Sequence, residues 1–163
     1  MIVRLQRTSN THHRMEVVRP GQPVEVAELE TRVFLLHDLV HLALEEAAGL
    51  RNSFYGLLAQ GRSLASLQHD AIDATAPESR ELLTTEQVTG PLQGAWRRPF
   101  DPEQFVATLR AYLESCGSTC PEWLETATIQ RTADRLRQLE GRWRATPFAE
   151  AMELGFELPP ARG

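Results

Sequence analysis

The chain is 163 residues long, 42% apolar and 24% charged, with a formal net charge of −5 at pH 7. A chain of that size and composition buries a core without metal or disulfide staples, which excludes a wholly disordered protein. The acidic balance argues against a general nucleic-acid or anionic-membrane binder, since both need a concentrated basic surface.

All 17 basic residues are arginines. The opening "MIVRLQRTSN" has no apolar run of the kind that directs secretion, and no stretch approaches the roughly 20 apolar residues of a membrane span. Cys116 and Cys120 are too few for a disulfide framework. The expectation is one cytoplasmic domain with no membrane partner, nucleic acid disfavoured and homo-oligomerisation left open.

Residues 1 to 30 read as extended. "MIVRLQRT" alternates Ile2, Arg4 and Gln6 against Val3, Leu5 and Arg7, and "HHRMEVVR", "RPGQP" and "VEVAELE" read as strand, turn and strand. At Arg32 the alternation stops, and apolar residues run on to Gly49, which predicts a helix over 33 to 48. Asn52 or Ser53 caps a short helix over "FYGLLAQ" that Gly61 ends. "RSLASLQHDAIDA" predicts another helix over 63 to 74. Gly90 and Pro91 interrupt the stretch from Glu81 to Trp96, so a kinked or broken helix is expected there.

"DPEQFVATLRAYLES" opens with Asp101 as a cap and Pro102 at the first helical position. "CPEWLETATIQRTADRLRQLEGRWRA" predicts the longest helix, starting at Pro121. In "ELGFELPP" the alternating Leu154, Phe156 and Leu158 predict a last strand that returns to the N-terminal sheet and stops at Pro159. Strands, then helices, then one strand give an α+β fold: a small antiparallel sheet packed by about five helices.

The candidate site lies in "FLLHDLVHLALEE". At about 100° per residue, His37, Asp38, His41 and Glu45 share an arc of roughly 100°, while the far side is apolar apart from Glu46. A solvated stripe mixes both signs of charge, yet no basic residue falls between Arg32 and Arg51. Acids and imidazoles without a guanidinium suit a divalent cation such as zinc, or a proton-transfer site. His37 and His41, one turn apart, are the expected metal ligands. Glu45 is about 12 Å along the axis from His37, so it serves with His41 or behind it, not with both. Asp38 and Glu45 are the expected catalytic acids or bases. Because neither histidine sits on the apolar arc, the fold is expected to survive replacement of either.

"HDLVH" resembles the H-E-x-x-H motif of zinc-dependent metalloproteases, in which two histidines bind zinc and the Glu activates water. Asp38 is one methylene shorter than that Glu, and the third ligand has to come from elsewhere. "LLHDLVH" also resembles the core of the HD-domain phosphohydrolases. That family needs an earlier histidine on a helix, and His12 and His13 lie in a stretch that reads as strand. The longer "HDLVHLALEEAAGLRNSFYGLLAQG" is similar to small uncharacterised bacterial proteins that carry His-Asp-Leu-x-His-x-x-x-Glu before Gly-Leu and aromatic-Gly pairs.

His69, with Asp70 and Asp73 beside it, could complete the site as a further metal ligand. "CGSTC" lacks the second cysteine pair of a zinc ribbon. In "AWRRPFDP", Arg97 and Arg98 between Trp96 and Phe100 suit either a phosphate-binding or an anchored loop. The arginines after Arg131 are interleaved with acids and read as an exposed ion-paired face. Two functions remain: a metal-binding domain, with hydrolysis its leading chemistry, and a non-catalytic interaction module whose polar helix face is structural.

Overall fold

A computed structural model describes residues 1–69 and 79–160, the side chains of Gln68 and His69 excepted. Three N-terminal strands, β1 (Ile2–Arg7), β2 (His12–Val18) and β3 (Glu25–Glu30), join β4 (Ala151–Gly155) in one antiparallel sheet of order β3-β2-β1-β4. The α+β expectation holds in both halves: alternation produces the sheet, and helices cover one face of it. Val3 pairs with Val17 and Leu154, and Leu5 with Met15 and Met152. All six are buried. Each contributes about 1.5–3 kcal/mol by leaving water, which fixes the register, because a slip of one residue would expose them all. The opposite face is ionic, with Arg4 between Glu16 and Glu153.

A single π-helical turn, Thr31–Leu35, leads into α1 (Leu36–Ala48). Gly49 ends that helix with φ 64°, and the N–H of Leu50 donates to the Glu45 carbonyl at 3.0 Å. Then follow α2 (Phe54–Ala59), α3 (Leu64–His69), α4 (Arg80–Ala95), α5 (Pro102–Ser115) and α6 (Thr126–Ala145). The second half of the helix expected over 63 to 74 lies outside the described residues. Of the two alternatives expected over 81 to 96, the break does not occur: α4 runs on through Pro91. α6 is the longest helix, but begins five residues after Pro121 because a turn over 121–125 comes first. β4 ends at Gly155, although the N–H of Phe156 still reaches the Met1 carbonyl at 2.9 Å. Asp101 caps α5 as expected, accepting from the N–H groups of Glu103 and Gln104.

Helix α1 is the central element, packed by α6, α4 and α2. Nine of its 13 residues are buried, including Asp38, His41 and Glu45. Most of its polar stripe therefore faces protein, with His37 a third exposed. Glu46, the one acid on the apolar side, meets Arg135 of α6 at 2.7 Å. Among the described residues no helix is long and apolar enough to cross a membrane.

His13, on the inner face of β2, is fully buried against Trp143. Its Nδ1 meets the Thr31 hydroxyl at 3.2 Å, and its Nε2 has no partner. Burial lowers its pKa to about 4, against an opposing pull from Glu28. Above pH 6.5 the ring is neutral in folded and unfolded chains alike. Below that the unfolded chain takes up a proton that the folded one refuses until about pH 4, so stability falls across this window, by roughly 2–3 kcal/mol in all. Urea unfolding at pH 7.5 and 4.5 measures the loss, and His13→Phe should remove most of it. An unchanged difference in the variant would assign the acid sensitivity elsewhere.

Candidate metal centre

His37 and His41 do converge as the one-turn spacing requires. Their rings meet edge to face with centroids 4.7 Å apart, on the wall of a cavity of about 480 Å³ between α1, β2, β3, α2, α3 and α4. Glu86 of α4 supplies the third donor, which the sequence reading did not single out. One of its carboxylate oxygens lies 2.9 Å from Nε2 of His41, and the other 3.9 Å from Nε2 of His37. One donor atom from each of the three residues can be chosen so that all lie within 4.8 Å of one another. Zinc bonded at about 2.0–2.1 Å in tetrahedral geometry needs donors roughly 3.3 Å apart, so modest side-chain rotation closes the set. Two imidazoles and a carboxylate are a donor set that fits such an ion.

Behind this group stands Glu45, fully buried and not on the cavity wall. It accepts from Nδ1 of His41 at 3.2 Å and from the backbone N–H groups of Tyr55 at 2.9 Å and Gly56 at 3.1 Å. Those N–H groups open α2, whose first turn has no intrahelical acceptor for them. A carboxylate on one imidazole nitrogen fixes the tautomer and aims the other nitrogen outward, as in the carboxylate–histidine–metal arrangement. The spacing His41–Glu45 made this pair legible; that α2 would share it was not.

The four groups divide electrostatically. Burial, with the neighbouring His41, lowers the pKa of His37 against the opposing pull of Glu86 and a hydrogen bond with Gln93. His41 is pushed the other way, to about 9, because the hydrogen bonds and charges of Glu45 and Glu86 outweigh its burial. Burial raises Glu86 too, but His41 reverses this and holds it below the usual carboxylate range. Asp38 is raised to about 7, first by burial and then by Glu86, against His41. It lines the cavity, and its Oδ2 has no hydrogen-bond partner.

His12 and His13 are not brought to the cavity wall. His12 is exposed and bonded to Thr11, and His13 faces Trp143. Residues 1–30 form strands, so no helix carries an earlier histidine as the HD-domain pattern demands. His69 ends α3, but its side chain, like Asp70 and Asp73, lies outside the described residues. Cys116 and Cys120 are free thiols. Trp96 bonds to Glu140 and stacks with Phe100, anchoring the loop while Arg97 and Arg98 are exposed. No family model matches the chain, and no curated protein or solved structure matches it.

Proposed function

We propose that the protein binds one divalent transition metal ion, zinc being the leading candidate, through His37, His41 and Glu86. The observation that carries this reading is the convergence of two Nε2 atoms and a carboxylate on a cavity wall, with Glu45 holding the far nitrogen of His41. The ion would take the place of the proton that His41 now shares with Glu86. A bound ion supplies Lewis-acid charge at the cavity wall. Asp38, unpartnered and titrating near neutrality, is placed to take up or return a proton beside it, which makes hydrolysis the leading chemistry.

One observation favours a second, non-catalytic reading. A protonated His41 clamped between the buried Glu45 and the part-exposed Glu86 is also a self-sufficient ion triad that ties α1 to α2 and α4. Metal analysis of tag-free protein separates the two. The metal reading expects close to one ion per chain after zinc loading and gel filtration, removed by a chelator and restored by zinc. Sub-stoichiometric, non-saturable uptake would leave the ion triad as the better description.

A further inference from the structure

The cavity beside His37 and His41 also constrains what is bound there. Six of its lining residues, Met15, Ala27, Leu29, Phe34, Phe54 and Leu67, are apolar. The polar ones are Glu28, His37, Asp38, His41 and Glu86. No arginine lines it among the described residues, the chain has no lysine, and residues 70–78 contain no basic residue. Recognition of a phosphate or carboxylate group relies on guanidinium or ammonium donors, or on a row of free backbone N–H groups. Here both ring nitrogens of His41 are already engaged, by Glu45 and Glu86. In the metal-free protein an anionic ligand would enter past Glu28 and Glu86 with no basic residue of the described wall to pair with it.

An uncharged ligand meets no such barrier. Its apolar body can displace water from Phe34, Phe54, Leu29 and Leu67, and one polar head can face the His-acid wall. The volume lies within the range of small-molecule sites, which are mostly apolar with few convergent polar groups. We propose that this cavity takes an uncharged carboxylic amide or ester with an aromatic or branched aliphatic body. Its carbonyl would be directed at the ion held by His37, His41 and Glu86, beside Asp38. The apolar fit is independent of the metal; only the direction of the carbonyl rests on the metal reading above.

The test uses three probes with one aromatic body: N-benzylacetamide, phenylacetate and phenyl phosphate. Each is titrated by NMR into metal-free and zinc-loaded protein, following the ring protons of the histidines. N-benzylacetamide should bind saturably in both forms and, in the metal-free protein, at least tenfold more tightly than either anion. Phe34→Ala, at a residue 41% exposed and so tolerant of change, should weaken it at least threefold. Equal or tighter binding of an anion to the metal-free protein, no saturable binding of the amide, or an unchanged affinity in Phe34→Ala would overturn the proposal. Amide binding in a protein that fails to take up zinc would sustain this inference and remove the metal reading. Stoichiometric zinc with no amide binding would do the reverse.

Discussion

Glu86→Gln should lower zinc affinity by at least about 100-fold while the fold persists, because losing a ligand costs more than the 10–100-fold typical of its supporting partners. The carboxamide keeps the shape of the side chain but offers one neutral oxygen where the site now has an anion. Glu86 is 40% exposed, so the change leaves no dry, uncompensated charge. His37→Ala should behave the same way, since that ring is a third exposed. His41 is different. It is 2% exposed and bonded to two carboxylates, so His41→Ala strands Glu45 in the core and opens a void. The expectation that either histidine is dispensable for folding is thus corrected for His41. Competition with a chromophoric chelator, paired with thermal melts, measures both effects. Unchanged zinc affinity in Glu86→Gln would remove α4 from the site.

Gly56→Ala should cost about 3 kcal/mol, which for a chain of this length lowers the melting temperature by roughly 6–12 °C. A Cβ at this position would stand 2.1 Å from the Arg51 carbonyl oxygen and 2.5 Å from its carbon. Both are backbone atoms, so no rotamer change relieves the overlap. The first turn of α2 would have to move away, stretching the N–H bonds from Tyr55 and Gly56 to Glu45. Gly141, inside α6 with open space around it, is the control: its replacement by alanine should stabilise by about 0.5–1 kcal/mol. Equal melting temperatures for the two variants would show that α2 absorbs the clash.

The strands were legible because each carries a strict alternation over five to seven residues, and the end of α1 because Gly49 closes it. The histidine pair was legible because a one-turn spacing needs only the helix itself. Glu86 was not. It is one acid on a helix whose apolar and polar residues are poorly segregated, and its relation to His41 depends on how α4 crosses α1. The same contact explains the burial that the helix wheel missed. A wheel sorts residues by type, and a His-acid stripe looks solvent-facing until a second helix is laid over it. Pro91 did not break its helix: it has no N–H to give, and it lies in the last turns of α4, where one missing bond is tolerated.

Pairing of β1 with β4 has a consequence for how the molecule comes into being. Arg4 and Glu153, ion-paired across that ladder, are 149 residues apart along the chain. The hairpins β1–β2 and β2–β3 close over short loops and can form early, whereas β4 is translated only after every helix. Until then β1 is an open edge, with unpaired backbone groups flanking Val3 and Leu5. An open apolar edge is a template for pairing with other chains, so a nascent or truncated molecule is most exposed to misassembly at its oldest strand. Arg4 lies on this edge beside Glu16 of β2, and Glu153 joins the pair when β4 arrives.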